Sequence, residues 1–356
     1  MSSLGPFDQF KVLHHIDTMK AISSGRIVAP VTVSIEPCSG CNYNCIWCSS
    51  KKYREENPSI LSKELLNYLP TELAGAGVKA VLFTGGGEPM LNPHLLDAMP
   101  KYKTAGLQIG VITNGAIFRT IDDFFILAYN CEFIRVSIDA IKPETYELVH
   151  GTSPEMLGIV LQYLKRLINA RDKLSYNGSK KCEIGVSYLL SPVNLDELET
   201  AIIWFQNVGV DYVQIKPVFS PRNVLGNDRG RNELYNIVEE KAQLWSNEGF
   251  SVYFLRHYFD EGSTKYIRPY HVCLGHWLTA NILSNGKLSI CCQTTSQPNS
   301  WFGNLYANHF EEIWRSGEHQ RAIDNIDLLK CKPCKFELYN QMLWAMAGNP
   351  KHVNFI

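Results

Sequence analysis

The sequence predicts an α/β chain, a partial (β/α)6 TIM-like barrel followed by a small cysteine-rich C-terminal module. Three observations carry this. Apolar runs of strand length alternate with helical periodicity from residue 31 onward. The unusual residues sit just after those runs, where parallel α/β folds place their chemistry. The alternation then stops, and five of the eleven cysteines gather between residues 273 and 335.

The first predicted strand, "VTVSIEP", alternates strictly, with Val31, Val33 and Ile35 on one face and Thr32, Ser34 and Glu36 on the other. A helix follows in "LSKELLNYLPTELAGAG", where Leu65, Leu69 and Leu73 recur at i, i+4 and i+8. "KAVLFTGGGEP" reads as a strand and glycine turn, then comes a helix around 93–105 and "LQIGVITNG" as a third strand. A helix near 121–129 precedes "FIRVSIDA", and a helix over 155–171 precedes "EIGVSYLL". A helix over 194–207 and "YVQIKPV" complete six strands, at 31–36, 80–84, 108–113, 133–138, 183–190 and 212–217. Right-handed βαβ units in a parallel sheet follow from that order. The expected division is an N-terminal extension (1–30), a core (31–220), a polar, mostly helical or irregular connector (221–264) and a C-terminal module (265–356). In the last, Asn285-Gly286 between two short strand-like runs signals a type I′ hairpin.

Composition narrows the function. Among 356 residues, 45% are hydrophobic, as in an ordinary globular chain, and the net charge of −1 gives no broad basic field for a phosphate backbone. No nucleic-acid partner is expected. The N-terminus lacks the basic and apolar regions of a signal peptide, and no run approaches a transmembrane span. A cytoplasmic protein with no membrane partner is therefore expected. Eleven cysteines in that setting point to metal or redox chemistry rather than a disulfide framework.

"CNYNCIWC" spaces Cys41, Cys45 and Cys48 as CxxxCxxC. Structural zinc sites favour CxxC pairs, which this spacing suits poorly. A [4Fe–4S] cluster normally takes four cysteines, so three would leave one iron open. This spacing, with an aromatic before the last cysteine, resembles the signature of the radical S-adenosylmethionine (SAM) superfamily. "GGGEP" resembles that family's GGE motif, and "SIDA" falls where the family contacts SAM. The resemblance implies that Gly86, Gly87 and Glu88 meet the methionine amino group. It further implies that Ser137 and Asp139 meet the ribose or carboxylate, and that Trp47 packs near adenine. Asn194 is a further candidate SAM contact, although "NLDE" also fits a helix N-cap. In this family the reduced cluster breaks the SAM C5′–S bond, and the resulting 5′-deoxyadenosyl radical abstracts a hydrogen atom. An external one-electron reductant of flavodoxin or ferredoxin type is implied.

The second pattern is Cys273-x12-Gly286-x4-Cys291 followed by Cys331-x2-Cys334. Four cysteines can hold zinc or an Fe–S cluster, and spacing alone does not choose. Behind the first motif, the pattern resembles the opening of the SPASM/Twitch auxiliary-cluster domain. A full SPASM domain continues to a further cysteine where this chain has Asn340, so the shorter Twitch form is implied. It would hold one auxiliary [4Fe–4S] cluster on Cys273, Cys291, Cys331 and Cys334, which makes the C-terminal segment an Fe–S (Twitch-like) module.

Similar architectures oxidise or epimerise sugars, aminocyclitols and aminoglycosides, and others mature peptides. The expected substrate is a small polar molecule of the first kind, with epimerisation or dehydrogenation as the outcome. A peptide maturase or epimerase is the alternative, disfavoured because only about 30 residues precede the first strand, too few for a precursor-binding domain. An epimerase needs a thiol hydrogen donor, for which Cys292 and Cys38 are the candidates, while Lys216 and Gln214 at the end of strand six would face the substrate.

Overall fold

The computed structural model describes residues 5–176, 181–218, 228–255, 268–329, 331, 334, 336–348 and 351. Seven strands follow one another in space as in sequence: β1 (Thr32–Ile35), β2 (Ala80–Phe83), β3 (Gln108–Thr113), β4 (Phe133–Ser137), β5 (Glu183–Leu190), β6 (Tyr212–Pro217) and β7 (Ser251–Phe254). All neighbours among them pair in parallel. On one face of the strands Val33, Val81, Val111, Val136, Val186 and Val213 are buried in the main core cluster. The connecting helices cover that face, as burial of one face of each strand requires.

Local signals set the element ends. The helix Lys63–Ala76 starts where the Ser62 hydroxyl accepts from the Leu65 N–H and stops at Gly77, whose φ of +99° an L side chain rarely adopts. Helices at Leu95–Thr104, Asp122–Asn130, Glu155–Tyr176 and Leu198–Asn207 lie where the sequence places them, within a few residues. Helix Pro143–His150 is an addition, opened by a proline in its first turn and closed by Gly151 at φ +58°.

Two expectations change. Part of the segment expected to be a connector continues the alternation: helix Asp228–Trp245 leads into β7, which pairs with β6 in register Tyr212↔Ser251. Four residues behind a polar helix carry too little periodicity to announce a strand. The C-terminal module, in turn, extends the barrel sheet. Strand β8 (Thr279–Ile282) lies parallel on the free edge of β1, and β9 (Leu288–Ser289) and β10 (Trp301–Phe302) follow antiparallel. The β8–β9 connection is not the Asn-Gly type I′ turn. Gly286 N–H closes the turn Leu283–Gly286 by donating to Leu283 O, and Gly286 itself takes a φ of +81°. Ser284 and Asn285 therefore occupy the turn centre, as in the three-residue loops that end on a left-handed glycine.

Aromatic rings narrow the barrel floor. Phe133 and Tyr212 lie across Gly110 and Gly185, where a Cβ would fall 2.5 Å and 2.1 Å from their rings. From below, Phe7 meets Tyr212 and Tyr253 edge-on at 5.6 Å and 5.2 Å. The N-terminal segment thus packs beneath the barrel. Its helix Ile16–Ser23 docks on helix Glu337–Ala347 through Met19, Ile22 and Leu343.

Candidate active site at the strand C-termini

The loop after β1 carries Cys41, Cys45 and Cys48, and a helix end holds it in place. The last carbonyls of helix Pro143–His150 lack intrahelical partners. Two of them accept from the loop: Asn44 N–H donates to His150 O and Ile46 N–H to Val149 O, both at 3.1 Å. Gly151 lets the backbones approach, since a Cβ there would sit 2.3 Å from Asn44 O. The three thiols lie close enough to oppose one another's ionisation. Burial first, then the charges of Asp139, Cys41 and Cys48, push the Cys45 thiol up to about 12. Burial likewise raises Cys41, and the Arg54 guanidinium opposes that. Arg54 Nη2 stands 3.7 Å from Cys48 Sγ, while its buried Nε has no hydrogen-bond partner among the described residues. Three converging thiols become thiolates together only around compensating positive charge, which is what an iron cluster provides. The donor set therefore fits.

The glycine turn after β2 fits against that loop. A Cβ on Gly87 would lie 2.1 Å from Gly40 O and 2.5 Å from Cys38 O, so only glycine allows this contact. Glu36, just past β1, ties the turn down. Its carboxylate accepts from Gly86 N–H at 2.8 Å, Ser284 O–H at 2.7 Å and Tyr53 O–H at 3.3 Å. Burial raises its pKa and the three donors oppose the shift. The β8–β9 hairpin tip is thus joined to the glycine turn through one buried carboxylate.

Several polar residues of the motifs face inward. Glu88 is 3% exposed, and it accepts from Met90 N–H at 3.0 Å, Thr113 O–H at 2.6 Å and Asn114 N–H at 2.7 Å. It locks the turn to the end of β3. Asp139 accepts from Leu189 N–H at 2.7 Å and from the Trp47 indole; burial pushes it up to about 7 against these donors and the Lys216 charge. Asn194 does hold the N-cap position before the short turn Leu195–Glu197, but its side chain makes no cap hydrogen bond there. Its Nδ2 donates to Asp139 O at 2.6 Å and Leu189 O at 2.8 Å, and its Oδ1 accepts from Ser191. With its hydrogen-bonding capacity used inside the protein, Asn194 is a strap between β4 and β5 rather than a ligand.

The row Ser137–Ser187–Gln214–Tyr253 runs in register across β4 to β7 on the face opposite the helix-covered core. This lumen row is polar. Gln214 is 4% exposed, and its Oε1 has no partner among the described residues. Lys216 lies one step higher on the same face of β6, half-buried and close enough to Asp139 to act on its charge.

The hairpin's open end gathers the second cysteine set. Burial raises Cys273, Cys331 and Cys334, the last to about 11, while Cys291 is raised chiefly by Cys292. Cys273 exerts a charge effect on each of the other three, so the four share one region, and Arg268 opposes the shift at both Cys273 and Cys331. As placed, no three His, Cys, Asp or Glu side chains among the described residues stand close enough together to hold a metal ion. Asn340, standing where a longer domain has a cysteine, donates through Nδ2 to Cys273 Sγ at 3.4 Å and accepts from Gly275 N–H at 2.8 Å.

The two candidate hydrogen donors each have a partner of their own. Cys38 is buried under the cluster loop, its sulfur accepting from Gly40 N–H at 3.2 Å. Cys292 is exposed in the turn that follows β9, its thiol within hydrogen-bonding reach of Cys291. Cys131 and Cys182 are buried at the N-terminal ends of β4 and β5. Sequence reasoning missed Glu36, Tyr53, Ser284, Arg54 and His150. Apart from the adjacent Tyr53 and Arg54 they are scattered along the chain, and only Glu36, a charged residue ending a strand, carries a sequence signal.

Comparison with known proteins agrees with this geometry. Residues 35–205 match the radical SAM superfamily, and residues 273–335 match the iron-sulfur cluster-binding domain called SPASM. The chain belongs to the radical SAM superfamily and carries a SPASM/Twitch-type domain in its C-terminal region. With these domains go a SAM-binding [4Fe–4S] cluster and an auxiliary cluster. The AdoMet-dependent heme synthase of Methanosarcina barkeri (strain Fusaro / DSM 804) is 28% identical over 338 residues, covering 87% of this chain and 89% of that protein. A S-adenosylmethionine-dependent nucleotide dehydratase of Flammeovirga pacifica is 26% identical over 50% of this chain and 59% of its own. Streptococcus suis SuiB bound to S-adenosylmethionine shares the fold, with a TM-score of 0.63 at 14% identity over 92% of this chain and 77% of that one. Among the described residues no helix is long and apolar enough to cross a membrane.

Proposed function

We propose that the protein oxidises a small polar substrate, a sugar, aminocyclitol or aminoglycoside, by radical SAM dehydrogenation. Cys41, Cys45 and Cys48 hold the SAM-binding cluster and leave one iron for SAM. Cys273, Cys291, Cys331 and Cys334 hold the auxiliary cluster. When bound and reduced by an external flavodoxin- or ferredoxin-type donor, the first cluster and SAM supply the hydrogen-abstracting radical.

The chain's own residues do the rest. Gly86 and Gly87 bring main chain against the cluster loop, and Ser137 borders the SAM side of the lumen. The narrowed floor limits entry of bulk water from below. Gln214 and Lys216 present an acceptor and a cation to substrate hydroxyl or amino groups. The observation that carries the oxidative outcome is the placement of the thiols. Cys38 is buried with its sulfur bonded to Gly40 N–H and Cys292 is engaged with Cys291, so both candidate thiols have partners of their own and neither stands ready to return a hydrogen atom to the opposite face. Cys273, Cys291, Cys331 and Cys334 would together leave no iron of an auxiliary cluster open, and such a group, when bound, would supply an acceptor for the substrate's second electron. Both relatives quoted above are named for small molecules, heme and nucleotides, which favours this reading over a peptide substrate.

The test is anaerobically reconstituted, dithionite-reduced enzyme incubated in D2O with SAM and a panel of aminocyclitols and aminoglycosides. A product lighter by two mass units supports dehydrogenation. A product carrying one deuteron would instead mean that a thiol returns a hydrogen atom, and the oxidative reading fails.

A further inference from the structure

His150 ends helix Pro143–His150 and is 1% exposed, beneath the cluster loop. Its ring is caged by Tyr146 and Tyr43, with centroids 4.3 Å and 5.6 Å away, and the two phenol oxygens meet at 3.1 Å. The ring has three polar neighbours, the farthest being the Asp139 carboxylate, whose Oδ2 stands 3.9 Å from Nε2. Nε2 faces the backbone N–H of Asp139 at 3.2 Å, and Nδ1 faces Cys45 Sγ at 3.5 Å. A backbone N–H can only donate, so Nε2 must accept and carries no proton. A neutral imidazole then keeps its one proton on Nδ1, directed at the sulfur.

We propose that His150 is a positioning residue for the radical SAM cluster, fixed in its Nδ1–H tautomer by the Asp139 backbone so that it donates a hydrogen bond to Cys45. The donor stabilises added negative charge on the thiolate, favouring the reduced state that must form before SAM is cleaved. It also ties that state to the end of β4, because the group that selects the tautomer is the amide of Asp139. The inference rests on Cys45 being a cluster ligand.

The experiment is an EPR-monitored redox titration of the reconstituted holoprotein, following the cluster signal that changes when SAM is added. Two substitutions separate the ring's contacts. Asn places a donor where Nδ1 lies, and Gln places an acceptor where Nε2 lies. His150→Gln loses the sulfur donor, so at fixed potential its reduced-to-oxidised ratio falls about tenfold, or about 59 mV for a one-electron couple. His150→Asn stays near wild type. Equal potentials in all three proteins, or an equal fall in both variants, would overturn the proposal. Should a variant not load iron, wild-type protein labelled with 15N-histidine supplies the second test. Hyperfine coupling of 15N to the SAM-responsive signal is expected, and its absence would also sink the proposal. If wild type shows no SAM-responsive signal at all, the assignment of Cys45 fails first and takes this inference with it.

Discussion

Glu36→Ala tests the joint between the two modules. Its carboxylate serves Gly86 N–H, Tyr53 O–H and Ser284 O–H. Without it Ser284 can turn to the Ser59 hydroxyl, already 2.7 Å away, but the other two donors have no evident substitute. Each stranded buried donor costs about 1–3 kcal/mol. Removing the carboxylate also relieves the burial that raises its pKa, so the net loss is about 2–4 kcal/mol. With an unfolding entropy of about 2.1 cal/mol/K per residue, a chain of this length has about 0.75 kcal/mol/K, and Tm falls by about 3–5 °C. Scanning calorimetry of the apo chain measures this, and isothermal titration of reconstituted protein with SAM measures the second effect. The glycine turn, released from Glu36, should bind SAM about tenfold more weakly. An unchanged Tm together with an unchanged SAM affinity would refute the joint.

Other substitutions report on separate parts. Gly87→Ala forces a Cβ to within 2.1 Å of Gly40 O, so iron at the SAM-binding site should drop severalfold while the auxiliary cluster's visible absorbance persists. Cys334→Ala should lower iron by about four per chain and leave the SAM-responsive EPR signal intact, with equal iron in both proteins counting against an auxiliary cluster. His319 is stacked on Phe302 at 4.3 Å and held by burial at about 4, below its unfolded 6.5. The unfolded chain therefore takes up the proton first, and His319's contribution is present above pH 6.5 and lost as pH falls toward 4. Between pH 7 and pH 5 that loss is about 2 kcal/mol. His319→Phe should flatten this part of a Tm-against-pH curve, and an unaltered slope would contradict it.

The strands were legible because their periodicity is local: β3, β5 and β6 run over the residues that alternation assigns. Orientation at strand ends was not. Asn194, a candidate ligand by sequence, spends its amide nitrogen on the carbonyls of Asp139 and Leu189, while Glu88 and Asp139 each also anchor a neighbouring strand or turn. A motif records residue type, while a long polar side chain at a strand end can turn toward the lumen or into the wall. Burial decides, and burial depends on neighbours far away in sequence. His150 was invisible for the same reason, since its partners Cys45 and Asp139 become neighbours only when a helix end docks on the loop.

The β8–β9 hairpin has one more consequence. Its tip binds Glu36 beside the glycine turn, and its open end carries Cys273 and Cys291, so the two metal sites lie at opposite ends of one ladder. Main-chain pairing of β8 with β1 fixes that ladder, so under the oxidation proposed above the spacing that an electron would cross is set by strand length and tolerates drift in side chains. Inserting two residues in each arm would move the far site by about 7 Å without disturbing the near one. The hairpin is a molecular ruler, and relatives could retune electron flow by changing its length alone.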